Sequence, residues 1–185
     1  MKLTAKHAER FVKVEHKIPG NVVGYQRDRV RLPNQVSGTR EFMLHPGAVG
    51  VLAFPKPGYL LLVKQYRYPV REFTYEIPAG KLGKGENPLS CVKRELEEET
   101  GYRAGRVQKT VHFWPTAAFS DEVIHLYVAD RLIKTIPNPD EDEFLEVKIV
   151  SLSQIETMIR TGQIHDSKTL IAYSLWRAGI MRSKP

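Results

Sequence analysis

Four glutamates lie close together near the end of one predicted helix: Glu95, Glu97, Glu98 and Glu99. Glu95 precedes Glu98 by three residues and Glu99 by four, so these three carboxylates share one helix face. Like charges at this spacing cost about 0.2–0.5 kcal/mol per pair, and exposed acids near a helix C-terminus oppose the macrodipole by about 0.3–1 kcal/mol each. Arg94 can pair with Glu98, but one arginine does not neutralise three acids. A divalent cation would, and hard oxygen ligands suit Mg²⁺ or Mn²⁺.

The alternative to a metal site is a solvated acidic helix face, which is what most runs of charge form. The spacing alone favours that alternative, so the rest of the sequence has to decide. The net charge of +7 would attract nucleic acid. However, ten of the 21 acidic residues fall in two short segments, 86–99 and 140–146. Such clustering indicates cation binding and does not favour a nucleic-acid partner.

The composition is that of an ordinary globular protein. A length of 185 residues with 42% hydrophobic side chains suits one compact domain, with room for a short appended segment. The single cysteine, Cys91, cannot form an internal disulfide, and we expect a packed, inert thiol in a reducing compartment. Apolar runs are too short to span a bilayer, so we expect a cytoplasmic protein with no membrane contact.

Alternating apolar and polar residues predict a small sheet at the beginning of the chain. Residues 11–16 and 22–32 flank the turn residues Pro19-Gly20-Asn21, which indicates a β-hairpin. The stretch Glu41–Leu44 adds a short third strand.

Two apolar stretches, 48–54 and 59–66, predict a second, central hairpin, because Pro55-Lys56-Pro57-Gly58 between them has strong turn chemistry. Further strands are predicted at 105–113, 123–129 and 144–150.

Helix signals interleave with these strands. Asn87 and Pro88 predict an N-cap and first turn, and Gly101 predicts a left-handed stop. A capping box of Ser153 with Glu156 predicts a second helix that ends at Gly162, and Asp166 predicts the cap of a third that runs towards Gly179. The order of elements indicates an α/β sandwich with a mixed sheet.

A specific pattern surrounds the glutamates. From Gly80, five residues lead to Glu86, and seven more lead to Arg94-Glu95-Leu96-Glu97-Glu98-Glu99-Thr100-Gly101-Tyr102. This resembles the Nudix box, Gly-x5-Glu-x7-Arg-Glu-U-x-Glu-Glu-x-Gly-U, in which U is a bulky aliphatic residue. Every charged and glycine position is met, and Tyr102 is the single departure.

The Nudix resemblance implies roles for the residues of the box. Glu95, Glu98 and Glu99 would be catalytic and metal-binding carboxylates, and the backbone carbonyl of Ala79 would be a further metal ligand. Arg94 would orient a ligand, while Gly80, Glu86 and Gly101 would be structural. The expected cofactor is Mg²⁺, with Mn²⁺ as a substitute.

Segments outside the box resemble the ADP-ribose pyrophosphatase branch of the family. They are His45-Pro46-Gly47-Ala48, Val63-Lys64-Gln65-Tyr66-Arg67-Tyr68-Pro69 and Glu76-Ile77-Pro78-Ala79-Gly80-Lys81. Pro115 matches the branch's proline beyond the box, but Thr116-Ala117-Ala118 lacks the second proline and the glycine. That departure bears on the choice of substrate.

The branch implies further site residues. Glu141 and Glu143 match the position of a glutamate that assists the attacking water, with a solvated turn as the alternative for each. The implied substrate-binding residues are Arg67, Arg40, Pro115, Glu76 and Arg27. Arg40 rests on a looser match, for which an ordinary surface charge is the favoured alternative, and Tyr25 is an alternative to Arg27.

The resemblance implies an α/β fold: a Nudix-type α/β/α sandwich with a mixed β-sheet, plus a small N-terminal β-sheet extension. Residues 1–45 would form the N-terminal segment, used for dimerisation and the substrate site, and residues 46–185 the Nudix hydrolase domain. The implied assembly is a homodimer. The implied reaction is hydrolysis of ADP-ribose to AMP and ribose 5-phosphate.

Two other functions stay open. The first is a Nudix hydrolase for another nucleoside diphosphate conjugate: an ADP-sugar, a GDP-sugar, a dinucleoside polyphosphate, coenzyme A or a capped RNA end. The second is a non-catalytic basic module that binds nucleic acid. The intact glutamate cluster counts against this module, because a retired site has no reason to keep charges that repel one another.

Overall fold

The computed structural model describes residues 5–141 and 143–181, which divide into two compact units. The first unit contains the chain up to Pro46 together with Thr116–Glu122, and the second contains Gly47–Pro115 and the chain from Val123 onward.

The first unit is built on a three-stranded antiparallel sheet. A short 3₁₀ turn, Ala5–His7, precedes β1 (Arg10–Ile18), β2 (Gly24–Arg31) and β3 (Ser37–Leu44), in the order β1-β2-β3. The predicted hairpin and the small sheet are confirmed, although β3 begins four residues before Glu41. The segment Thr116–Glu122 joins this unit through a hydrogen bond from the Met43 backbone N–H to the Phe119 carbonyl, 2.8 Å.

The second unit contains a mixed sheet and an antiparallel sheet. The mixed sheet has the order β7-β4-β9-β8, in which β4 and β9 are parallel, and the other has the order β10-β5-β6. The three strands predicted after the glutamate helix are confirmed, whereas β6 and β7 were not predicted. The strands are β4 (Ala48–Ala53), β5 (Tyr59–Arg67), β6 (Glu72–Glu76), β7 (Ala79–Lys81), β8 (Tyr102–Phe113), β9 (Ile124–Lys134) and β10 (Glu146–Ser151).

The predicted hairpin of β4 and β5 is wrong, because the two strands belong to different sheets. The edges of β4 pair with β7 and β9, and those of β5 pair with β6 and β10, so neither strand has an edge left for the other. The turn residues between them carry the chain from one sheet to the next.

The glutamate helix has the predicted ends. Helix α1 (Pro88–Thr100) begins after Asn87, whose side chain accepts a hydrogen bond from the Leu89 N–H, and ends at Gly101 in the left-handed conformation, φ 67°. Helix α3 (Ser167–Arg177) is capped by Asp166, as predicted.

The predicted capping box of the second helix is wrong by two residues. Helix α2 (Leu152–Arg160) is capped by Ser151, whose hydroxyl accepts the Gln154 N–H at 3.3 Å, while the Gln154 side chain accepts the Ser151 N–H at 3.1 Å. Glutamine closes the box as well as glutamate does, so the earlier serine takes the cap and Ser153 falls inside the first turn.

Alternate residues of the central strands face two separate hydrophobic clusters. Leu52, Leu60 and Leu62 belong to one cluster, together with residues of α2 and α3, while Val51 and Leu61 belong to the other, with residues of α1. Because successive strand residues point to opposite faces, helices cover both sides of the strands, as expected for an α/β/α sandwich. The helix residues are Ile155, Ala172 and Tyr173 in the first cluster, and Cys91, Val92 and Leu96 in the second.

Among residues 5–141 and 143–181, no helix is both long and apolar enough to cross a membrane.

The C-terminal stop of α1 should be intolerant of a side chain. A Cβ on Gly101 would lie 2.8 Å from Pro137 Cδ, in addition to the cost of φ 67°. We expect Gly101→Ala to lower the free energy of unfolding by about 2 kcal/mol or more. Gly162→Ala is the matched control, because Gly162 follows α2 at φ 73° with no atom within 4 Å of its Cβ position. Equal losses for both variants in urea denaturation would contradict the contact with Pro137.

Candidate metal and diphosphate site

Strand β7 lies directly against the glutamate face of α1. A Cβ on Gly80 would lie 1.9 Å from Glu95 Cδ, so only glycine allows this side chain so close to the strand. The backbone N–H of Ala79 donates a hydrogen bond to a Glu99 carboxylate oxygen at 3.0 Å. Two adjacent residues of β7 therefore meet two of the three predicted metal-binding carboxylates.

Burial makes the negative charge of these carboxylates costly. Glu95 is 9% exposed and Glu99 is 3% exposed. Burial raises the pKa of Glu99 to about 8, with further contributions from the charges of Glu95 and Glu143, and the hydrogen bond from Ala79 opposes this only in part. Burial also raises the pKa of Glu95, against the charge of Arg94. An arrangement of this kind favours a cation between the acids.

Arg94 holds three acids of the box together. Its guanidinium contacts Glu86 at 3.0 Å, Glu95 at 2.9 Å and Glu98 at 2.8 Å. The hydrogen bond from Arg94, joined by the Gly83 N–H, holds the pKa of Glu86 at about 2. Arg94 thus connects the loop before α1 to the carboxylates near the C-terminal end of this helix.

The fourth glutamate of the helix faces elsewhere. Glu97 forms a salt bridge of 2.8 Å with Arg103, at the start of β8. Glu97 is therefore separated from the other three carboxylates, as its helical position predicted.

Within the two described ranges, no group of three or more Asp, Glu, His or Cys side chains is arranged so that it could hold a metal ion. The contacts of the glutamates explain this. Arg94 occupies oxygens of Glu95 and Glu98, and Glu99 accepts the Ala79 N–H. The donor chemistry suits a hard divalent ion.

The loop after β9 is tied to the end of α1. The Thr135 N–H donates to the Gly101 carbonyl at 2.7 Å, and the Asn138 N–H donates to the Glu98 carbonyl at 3.0 Å. Of the predicted loop acids, Glu143 is half-buried and its charge raises the pKa values of Glu95 and Glu99, whereas Glu141 is exposed. Asp142 lies outside the described residues.

Arg67 and Glu76, both predicted to bind substrate, contact each other. The Arg67 guanidinium donates two hydrogen bonds to the Glu76 carboxylate, at 2.7 and 2.6 Å. Lys168, at the start of α3, donates to the same carboxylate and contacts Asp166 at 2.9 Å. Burial acts to raise the pKa of Glu76, but Arg67 and Lys168 outweigh it and hold the value at about 2.

No sequence signal indicates Lys168, which follows a helix cap and belongs to no motif. Its charge is felt at Glu99, where it lowers the pKa. Arg67 and Glu76 also line a cavity of about 450 Å³ together with His165 and Asp166. The arginine is thus held by its partners at the edge of an open space, with 44% of its side chain exposed.

Three further residues were predicted to bind substrate, namely Arg27, Arg40 and Pro115. In the first unit, Arg27 on β2 contacts Glu15 at 3.4 Å and Glu41 at 3.6 Å, and Arg40 on β3 pairs with Glu9. In the second unit, Pro115 is half-buried just beyond the end of β8. The substrate-binding roles of these residues stay predictions.

The contact between Gly80 and Glu95 generates a test. In Gly80→Ala the new methyl group displaces the Glu95 carboxylate, which is the far end of a flexible side chain, so the protein should still fold, at a cost of about 1 kcal/mol. We expect the rise in melting temperature on adding Mn²⁺ to shrink. Gly83→Ala is the control, because its Cβ would approach Glu86 at 3.2 Å and not Glu95. A Mn²⁺ response in Gly80→Ala equal to that of the unaltered protein would rule this contact out as a determinant of metal binding.

Comparison with known proteins agrees with this geometry. The NUDIX domain matches residues 44–172, which is more than half of the chain. The methanol dehydrogenase activator of Bacillus methanolicus is 43% identical over 166 residues, covering 89% of this chain and 90% of that protein. The ADP-ribose pyrophosphatase of Bacillus subtilis (strain 168) is 40% identical over 166 residues, with the same coverage.

A solved structure of an ADP compounds hydrolase superposes with a TM-score of 0.81 at 19% identity, covering 92% of this chain and 93% of that one. The predicted fold class is therefore confirmed, and so is the resemblance read from the box between Gly80 and Tyr102. The chain belongs to the NUDIX domain family.

Proposed function

We propose that this protein is a pyrophosphohydrolase that cleaves the diphosphate bridge of ADP-ribose, giving AMP and ribose 5-phosphate. The observation that carries the proposal is the trio of carboxylates on one face of α1, with Glu95 and Glu99 buried against Gly80 and Ala79 of β7. NUDIX hydrolases generally use a divalent metal, and we assign Mg²⁺ here, with Mn²⁺ as a substitute.

The chemistry of a diphosphate explains the need for these groups. Its negative oxygens repel a nucleophile, so catalysis requires charge neutralisation and an oriented water. Glu95, Glu98 and Glu99 would hold the metal with the Ala79 carbonyl, and the metal would supply that neutralisation. Arg94 keeps Glu98 and Glu95 in place before the ion binds, and Arg67 offers a cation at the edge of the neighbouring cavity.

ADP-ribose is proposed as the substrate because the similar protein of Bacillus subtilis (strain 168) is named an ADP-ribose pyrophosphatase. An assay with Mg²⁺ against ADP-ribose, an ADP-sugar, a GDP-sugar and a dinucleoside polyphosphate, with product identification, tests this choice. A substrate that turns over much faster than ADP-ribose would replace it.

The glutamates of α1 should differ sharply in their effect on turnover. We expect Glu98→Gln and Glu99→Gln to lower kcat by a factor on the order of 100 or more, because each loses a charged metal ligand. Their melting temperatures should stay equal or rise slightly, since repulsion is relieved.

Glu97→Gln is the matched control on the same helical turn, because this glutamate pairs with Arg103 instead. It should keep its turnover and nearly all of its stability, because an exposed salt bridge contributes little. Unchanged kcat in both Glu98→Gln and Glu99→Gln would remove the metal-site assignment.

We propose that Glu143, and not Glu141, is the loop acid that assists the attacking water. The support is electrostatic: the Glu143 charge reaches Glu95 and Glu99, while Glu141 is exposed. We expect Glu143→Gln to lower kcat at least tenfold and Glu141→Gln to change it by less than twofold, measured at saturating substrate. The reverse order would transfer the role to Glu141.

We propose that the protein is a homodimer joined through the first unit. Among the described residues, strand β1 pairs only with β2, and it carries exposed apolar side chains, among them Phe11, Val14 and Ile18 at 63%, 45% and 53% exposure. Exposed apolar side chains along a free strand edge are typical of an interface.

Sedimentation velocity tests the dimer. Phe11→Glu should shift the protein towards monomer, whereas Lys13→Glu, also exposed on β1, should leave the dimer intact. A monomeric parent protein would end the proposal. A role for Arg27 in a substrate site shared between subunits depends on this dimer. A cytoplasmic location, expected from the single cysteine, stays a prediction.

A further inference from the structure

A second cavity lies at the far end of β4, the strand that pairs with β7. Val49 of β4 pairs with Gly80, and Phe54 follows the last residue of the same strand. At about 3.3 Å per residue, this places the two ends about 16 Å apart. The cavity has a volume of about 540 Å³, which is within the usual range for small-molecule sites.

The walls of this second cavity are basic. Lys56, Arg106 and Arg131 face a single acid, Asp130. Arg106 is paired with Asp130 through hydrogen bonds of 2.9 and 2.6 Å. Within the described part of the chain, Lys56 and Arg131 form no salt bridge with a carboxylate, so the cavity has an excess of positive charge.

Arg131 is held in an unusual backbone conformation. Its φ of 55° lies in the left-handed region, which is unfavourable for a residue with a side chain. Gly105 on β8 makes this possible, because a Cβ there would lie 2.9 Å from the Arg131 carbonyl oxygen. Such strain is characteristic of positions that serve binding, since the backbone turns the side chain to a place it would not otherwise reach.

An aromatic side chain completes the cavity. Trp176 of α3 is half-buried and packs against Phe54 and Tyr173, with ring centroids 5.3 and 5.8 Å apart. Both Phe54 and Trp176 line the cavity. Lys56 lies over the Tyr59 ring, 4.0 Å from its centroid, and so keeps its charge free of a carboxylate partner among the described residues. A fixed indole beside such cations suits a ligand with a planar ring and a phosphate, because rings stack on aromatic side chains and guanidinium groups bind phosphate.

We propose that this cavity is a second site, for a nucleoside monophosphate, with the phosphate at Arg131 and Lys56 and the base against Trp176. The site goes beyond the proposed function, because none of its residues belongs to the glutamate cluster or to the Arg67 cavity. Binding there requires neither a metal nor turnover.

The two tryptophans of the chain allow a direct test. Trp114 is 58% exposed, so Trp114→Phe should fold and leave Trp176 as the only indole. In EDTA, AMP should change the fluorescence of this variant saturably, with a Kd at least tenfold lower than those of inorganic phosphate and adenosine measured separately. No saturable change, or an affinity for AMP no higher than for phosphate, would overturn the proposal.

A pair of arginine variants in the Trp114→Phe background identifies the phosphate contact. Arg131→Gly removes the guanidinium while glycine adopts the same backbone freely, so the protein should fold and bind AMP at least tenfold more weakly. Arg71→Gly is the matched control, because Arg71 also has a positive φ, 56°, and lies outside the cavity. Equal affinity in Arg131→Gly and Arg71→Gly would overturn the proposal.

A third variant separates this site from the catalytic one. Glu99→Gln in the Trp114→Phe background should keep the AMP response unchanged, because Glu99 is not part of the second cavity. Loss of the response in this variant would assign the signal to the glutamate site and overturn the second site. Retained AMP binding in Trp114→Phe itself, without ADP-ribose hydrolysis by that protein, would instead contradict only the proposed function.

Discussion

The close contact between β7 and the glutamate face of α1 governs this structure. Helix α1 cannot move away from the strand, because Cys91, Val92 and Leu96 are packed in the core beneath it. The strand can approach only because Gly80 has no side chain. As a result, the Glu95 and Glu99 carboxylates are buried, and their negative charge is unfavourable without a cation.

The surrounding elements keep this costly arrangement in place. Arg94 links Glu86, in the loop before α1, to the carboxylates of the helix. Arg94 belongs to the same helix, so no second element has to supply the charge. At the other end, the carbonyls of Glu98 and Gly101 accept N–H groups of the loop after β9. The loop that carries Glu143 therefore takes its position from the same helix end that carries the glutamates.

The parts of this design that depend on local chemistry could be predicted from the sequence. Asn87, Pro88 and Gly101 fix the two ends of α1, and helical periodicity alone separates Glu97 from its neighbours. The pairing of β4 with β5 was predicted wrongly, because a turn indicates a change of direction and does not say which strand edges remain free. The contact of Lys168 with Glu76 joins residues 92 positions apart, and no local pattern reports it.

The cluster around Glu76 has a consequence for the proposed chemistry. Glu76 is nearly fully buried, and two cations, Arg67 and Lys168, share its one negative charge. Lys168 also pairs with Asp166, so the two cations of the cluster face two acids, and the field of Lys168 reaches Glu99. Acidic and basic groups thus lie side by side in the second unit. The acidic groups attract a metal ion and the basic groups attract a diphosphate. A metal ion and a diphosphate bound together would therefore neutralise both sets of charges. This complementarity requires the buried Glu76 to remain ionised, since it holds Arg67 at the edge of the cavity where a phosphate would arrive.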